Sequence, residues 1–189
     1  AVFAEIEHAC RVGAVAVGMD IDHAFNSSGG YDNVLGLQMH AKTSAQLREY
    51  VQASRIPFVV KGVLSVRDAE LCMVAGVDGI VVSHHHGIMP SAVPPLMLLP
   101  EIVKVTAHRI PVFVDCGVES GIDAFKALAL GADAVLIGRP FVNMVYGGGA
   151  EGVQVSVNKL GAELKDTMAM CGVHKLEEIN RDCVTFFEI

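Results

Sequence analysis

The sequence predicts an α/β fold of the (βα)8 TIM-barrel class, and three observations carry that prediction. Short apolar runs alternate with amphipathic segments, the alternation repeats with the period of two strand–helix units, and polar residues stand just beyond the apolar runs. The runs Pro57–Val60, Gly79–Val82 and Val112–Val114 are each followed by a polar or charged residue. Runs this short and this apolar read as parallel strands buried on both faces. They absorb a hydrophobic content of 52% and a mean hydropathy of +0.46 without any stretch near the roughly 20 apolar residues of a membrane span.

The repeat is visible residue by residue. Ile56-Pro57-Phe58-Val59-Val60-Lys61-Gly62 matches Ile110-Pro111-Val112-Phe113-Val114-Asp115-Cys116-Gly117, and Ala75-Gly76-Val77-Asp78-Gly79-Ile80-Val81-Val82-Ser83 matches Leu130-Gly131-Ala132-Asp133-Ala134-Val135-Leu136-Ile137-Gly138. An amphipathic segment joins the strands within each copy, Ser65–Ala75 and Ser120–Leu130. Each starts on serine, a favoured N-cap, and stops before glycine, a favoured terminator. Three further helices are predicted over Phe3–Val12, Ser44–Ala53 and Ala92–Thr106. The strands expected are Ala14–Met19, Phe58–Val60, Gly79–Val82, Val112–Val114 and Ala134–Ile137. Repetition of unit pairs favours a ring of similar units over a doubly wound sheet, which needs none. A closed barrel takes eight strands and about 250 residues; this chain has 189. Residues 1–189 are therefore expected to form one partial barrel domain, either a piece of a longer protein or one completed by strands from elsewhere.

Composition narrows the partners. A net charge of −7 without a basic stripe argues against nucleic acid. The five cysteines include no CxxC pair, so neither a disulfide framework nor a cysteine zinc site is indicated. No signal peptide or lipidation motif is apparent, and a cytoplasmic protein without membrane partners is expected.

Residues just past the strand ends surround the active site of a barrel enzyme. Here they are Asp20, Lys61, Ser83-His84-His85-His86, Asp115 and Gly138-Arg139. Strand ends meet solvent and are commonly polar, which explains any one of them alone. Lys61 and Asp115 are harder to dismiss, since each follows buried aliphatics and an unpaired buried charge is costly. The turns Asp115-Cys116-Gly117-Val118-Glu119-Ser120-Gly121 and Ile137-Gly138-Arg139-Pro140 each lead into a helix. In barrels, phosphate binds after strands 7 and 8, at helix N-termini and backbone amides. That placement makes these the last five units. Gly138 permits close backbone approach, Arg139 supplies a forked cation, and Pro140 starts a helix where its missing N–H costs nothing. Adjacent histidines suit a metal poorly, because His84 and His85 point to opposite sides of an extended segment, and no metal is expected. A general base among the three histidines fits better.

From Pro57 to about Gly152, with weaker similarity to Ile179, the chain resembles the C-terminal half of the FMN-dependent α-hydroxy-acid oxidases and dehydrogenases. The matching pieces are Val60-Lys61-Gly62-Val63, Gly79–Ser83 with His85, Ile110–Asp115, Ala124–Ala132 and Ile137–Pro140. The resemblance implies FMN as cofactor and a small 2-hydroxy acid or related CH–OH compound as substrate. By it, Lys61 would face the flavin N1–C2=O edge, Ser83 would hydrogen-bond the cofactor, and His85 would be the catalytic base oriented by Asp20. Asp115, Cys116, Gly117 and Glu119, with Gly138 and Arg139, would hold the ribityl chain and phosphate, and His86 and Ile88 would line the substrate site with His85. A homo-oligomer is implied by analogy. The chain departs from the family at two places. The family reads Ser-Asn-His-Gly-Gly-Arg where this chain reads Ser83-His84-His85-His86-Gly87-Ile88, which removes a carboxylate-binding arginine. Glu119 stands where an arginine helps neutralise phosphate, so weaker FMN binding is expected. Two alternatives stay open: another flavin barrel enzyme such as an isomerase, and a catalytically decayed relative that only binds a ligand.

Overall fold

The computed structural model describes residues 1–26, 28–85 and 91–185. His86 and Ile88, both expected at the substrate site, lie outside the described residues. Helix α1 (Val2–Arg11) leads into strand β1 (Val17–Asp20), and a small hairpin follows, β2 (Asn33–Val34) and β3 (Leu37–Gln38). Then come α2 (Ser44–Ala53), β4 (Phe58–Val63), α3 (Val66–Ala75), β5 (Gly79–Val82), α4 (Pro95–Thr106), β6 (Val112–Val114), α5 (Gly121–Ala129) and β7 (Ala134–Val135). A helical run, α6 (Arg139–Met170), closes the series and breaks at Gly149, whose φ of 55° and ψ of −140° are not helical.

Five strands pair in parallel in the order β1-β4-β5-β6-β7. The order never reverses along the chain. A doubly wound sheet has a switch point where it does, so this sheet is an arc of a barrel. Burial grades across the arc. Every residue of the central β5 is buried, whereas β1 alternates between half-buried and exposed and β7 is half-buried. Among the described residues β1 and β7 each have a strand partner on one side only. This edge position explains why both are shorter than the sequence predicts. Strand β1 has only β4 to pair with, and its first bond is Val17 N–H to the Pro57 carbonyl, so Ala14–Ala16 have no strand to lie against.

Helices α2, α3 and α5 begin where the serines and threonine direct. Ser65 Oγ accepts from the Asp68 N–H at 3.0 Å, and Thr43 and Ser120 each form a capping box, with Gln46 and Asp123. Gly76 ends α3 in the left-handed conformation, φ +86°. The core between sheet and helices is built on Phe58, Val60, Ile80, Val82, Leu99, Ile102, Val112 and Val114. Cys72 lies in it, and burial pushes its thiol up to about 12. The second half of α6 packs so closely on α5 that a Cβ at Gly121 would meet the Leu160 carbonyl oxygen. The tail then folds back, burying Val173 and Ile179 against Phe125 and Ala129.

Candidate active site

The parallel register sets every strand's C-terminal end on one side of the sheet, and that is where the polar residues meet. Asp20 is in register with Lys61, so the two side chains are neighbours, with Lys61 Nζ 3.1 Å from Asp20 Oδ1. Asp115, at the end of β6, brings Oδ2 to 3.9 Å from the same ammonium. Two carboxylates thus offset the desolvation of one lysine.

His85 follows β5 in the left-handed region, φ +51°, a conformation that a non-glycine residue keeps only where its surroundings enforce it. Ser83 does so here: it is fully buried, and its Oγ accepts from the His85 N–H at 3.1 Å. The hydroxyl expected to meet the cofactor is turned to the protein, positioning the histidine and lying 3.6 Å from Cys116 Sγ. His84 Nδ1 is buried without a hydrogen-bond partner among the described residues.

The carboxylate at His85 is Asp22, not Asp20. Asp22 Oδ1 lies 3.1 Å from His85 Nδ1, and the Asp22 side chain is only 2% exposed. The family resemblance gives this partnership to Asp20, but strand register commits Asp20 to Lys61. Asp22, two residues on, leans over Gly62, where the sheet register slips between Lys61 and Val63. Gly62 has φ +95°, and a Cβ there would stand 2.6 Å from Asp22 Cγ. The glycine is therefore the notch in which the carboxylate sits. The only signal for this in the sequence is the glycine after Lys61.

Lys61 Nζ is also 3.3 Å from His85 Nδ1, but one nitrogen cannot donate to Asp22 and accept from Lys61 at once. The buried carboxylate decides: Nδ1 carries the proton and donates a hydrogen bond to Asp22 Oδ1, and Lys61 is a close cation beside the ring. Nε2 then holds the free lone pair. Asp20, Asp22 and His85 place atoms able to ligate a metal within 4.8 Å of one another, yet the cation among them is the Lys61 ammonium.

A cavity of about 910 Å³ opens in front of these residues and runs from Lys61 and His85 past Asp115–Glu119 to Leu136–Met144. At its far end Gly117 and Gly138 have nothing within 4 Å of where a Cβ would be, so a ligand can approach the backbone there. Gly138 caps α6, and Arg139 and Pro140 form its first turn, an anion-favouring arrangement. The start of α5 is different. Glu119 and Ser120 donate their N–H groups to Asp123 Oδ2, at 3.2 and 3.1 Å, and the Gly121 N–H donates to Glu163 Oε2 at 2.8 Å. These amides, expected to meet a phosphate, are already taken. The anion end of the cavity is thus the α6 side, with exposed Glu119 on its rim. Cavity, glycines and arginine together fit the FMN that the sequence reading calls for.

Comparison with known proteins agrees with this geometry. Residues 6–186 match the profile of the family described as FMN-dependent dehydrogenase. An L-lactate oxidase of Roseobacter sp. (strain GAI101) is 39% identical over 80% of this chain and 41% of its own length. The glycolate oxidase of Spinacia oleracea is 45% identical over 67% of this chain and 34% of its own. A mandelate oxidase variant solved with a monooxide FMN adduct superposes with a TM-score of 0.82 at 32% identity, over 93% of this chain and 56% of that one. The chain thus spans well under two thirds of these relatives, and its sheet is part of their barrel. Among the described residues no helix is long and apolar enough to cross a membrane.

Proposed function

The chain belongs to the FMN-dependent dehydrogenase family, and from that premise we propose that it supplies the catalytic strand ends of an enzyme oxidising a small 2-hydroxy acid. The observation that carries the proposal is His85, whose Nδ1 is held by buried Asp22 at 3.1 Å while its ring lines a cavity also lined by Lys61. A base needs a free lone pair and a fixed ring, and this pairing gives His85 both. Nε2 takes the proton that the substrate loses. Asp22 stabilises the imidazolium so formed. Lys61 keeps a positive charge at the cavity wall, where negative charge accumulates on reduction, and Asp20 and Asp115 hold that ammonium in place. FMN, when bound, supplies the acceptor for the two electrons leaving the substrate carbon. Gly117, Gly138 and Arg139 would hold its ribityl phosphate.

Purified full-length protein should be yellow, and its flavin band should bleach under anaerobic lactate or glycolate. His85→Ala should retain flavin and lose bleaching by about 10³-fold or more in rate, and Lys61→Met should slow it by about 10²-fold. A colourless full-length protein, or full activity in His85→Ala, would overturn the proposal.

A further inference from the structure

A second imidazole–carboxylate pair stands beside the first, and the function proposed above makes no use of it. His23 Nδ1 lies 2.7 Å from the Asp32 carboxylate. The His23 ring packs against the His85 ring, centroids 4.7 Å apart and planes at 79°. Asp32 is a fixed acid: its Oδ1 accepts from the Asn33 N–H at 2.8 Å, its own N–H donates to the Ala24 carbonyl, and its carbonyl accepts from the Met39 N–H. The surrounding loop is clamped by ring contacts of Tyr31 with Phe25 and His40. A carboxylate pinned in this way lies against one nitrogen of the imidazole and leaves the other for a ligand.

The His23–Asp32 contact is close but poorly aligned. Nδ1 is buried and makes no hydrogen bond of good geometry, so the pair is a close contact rather than an aligned bond. The burial is informative in itself: Nδ1 is closed off, while 24% of the side chain remains exposed. The exposed part of the ring therefore lies away from Nδ1.

An anionic substrate positioned at His85 needs a donor for its carboxylate within a few bonds of the reacting carbon. Among the described residues two cation-capable side chains touch His85, Lys61 and His23. Lys61 is occupied by Asp20 and Asp115. His23 has one carboxylate at Nδ1 and keeps 24% of its side chain exposed. An imidazolium between two carboxylates can make a charge-assisted bond to each. In a 2-hydroxy acid the hydroxyl and carboxylate are on adjacent carbons, so one short molecule can reach two rings packed this closely.

We propose that His23, backed by Asp32, binds the substrate carboxylate while His85 acts on the adjacent carbon. This rests on the 2-hydroxy-acid reading and adds to it the residue that recognises the acid. The test uses the full-length flavin-loaded protein. Calorimetric titration with oxalate, a dicarboxylate with no C–H to lose, is compared in wild type, His23→Leu, His23→Gln and Asp32→Asn. The kcat/KM ratio for lactate over the neutral lactamide is measured beside it, with flavin content reporting on folding. Oxalate affinity should fall roughly tenfold or more in both His23 variants and less in Asp32→Asn. The lactate-to-lactamide ratio should fall by a similar factor, mainly through KM. Oxalate affinity within about twofold of wild type in flavin-loaded His23→Gln would overturn the proposal, as would equal losses for lactate and lactamide carried by kcat, which would make His23 a support for the base. Oxalate binding that depends on His23 in a protein whose flavin no 2-hydroxy acid reduces would leave the carboxylate site standing and sink the oxidation reading instead.

Discussion

Around His85 the side chains are committed to one another: Asp22 to the ring, Asp20 and Asp115 to Lys61, Ser83 to the His85 backbone. Around Gly138 the wall is glycine, a helix start and one arginine, and the neighbouring helix α5 has spent its first amides on Asp123 and Glu163. The first region is preorganised for a reaction in which charge appears and must be met without rearrangement. The second is shaped for holding an anion against backbone. The difference teaches where a substitution should change rate and where it should change only affinity.

The sharpest way to break that contrast is Asp22→Asn. An amide cannot stabilise the imidazolium and can favour the wrong tautomer, so flavin reduction should slow by on the order of 10²-fold with FMN affinity unchanged. Asp20→Asn should slow it less, acting only through Lys61; stopped-flow reduction of the two variants side by side decides, and a larger loss from Asp20→Asn would restore the assignment made from the sequence. Gly62→Ala attacks the same pair through the backbone. It places a methyl group where Asp22 Cγ already lies and forces alanine to φ +95°. A stability loss of about 1–3 kcal/mol in urea unfolding is expected, together with a rate defect resembling that of Asp22→Asn.

Why Asp20 could be read and Asp22 could not is a matter of register. The strands announce themselves because β4, β5 and β6 carry continuous apolar runs to Val60, Val82 and Val114; Lys61, Ser83 and Asp115 follow those runs directly, and Asp20 is the last residue of β1. Asp22 lies beyond the regular strand, and its reach to His85 depends on a bulge at Gly62 that no periodicity encodes. The β2–β3 hairpin was hidden for a similar reason. Its turn places Leu35 at φ +52° before Gly36 at φ +80°, and leucine stands where asparagine or aspartate would have flagged a tight hairpin. The self-capping of α5 was legible in Ser120-Gly121-Ile122-Asp123, a serine with an acid three residues on. Its consequence, that the cap occupies amides a phosphate could use, appears only with the geometry.

At the anion end the effects should be smaller and confined to binding. Glu119 is an exposed rim residue whose side chain carries none of the capping bonds described, so Glu119→Gln removes one like charge near a bound phosphate. FMN affinity should tighten about twofold to fivefold, more at low ionic strength than at high, with the rate of flavin reduction unaltered. A change in rate without a change in affinity would mean that the two ends of the cavity are not separable.

The smallest effect expected is also the one where two opposing terms meet in one residue. Cys116 holds φ +68° directly before Gly117 at φ +90°, a left-handed pair in which only the second residue is a glycine. Relieving the first with Cys116→Gly should return about 1 kcal/mol of backbone strain. Against this stands the thiol, which donates to Asp115 Oδ1 at 2.8 Å. Burial first, and then the bond to Asp115, push its pKa above the ordinary value, so it remains the neutral donor around neutrality. A raised folded pKa contributes stability that is whole below the unfolded thiol's pKa and is lost as pH rises through the folded one. Cys116→Gly should therefore be slightly more stable than wild type near neutral pH, and its advantage should widen in alkali, where wild type alone loses the thiol contribution. Cys116→Ala keeps the strain and loses the thiol, so it should be the least stable of the three. If glycine proves less stable than cysteine at neutral pH, the sulfur's bond to Asp115 outweighs the backbone cost, and the anion end is then tied through Asp115 into the network that holds Lys61.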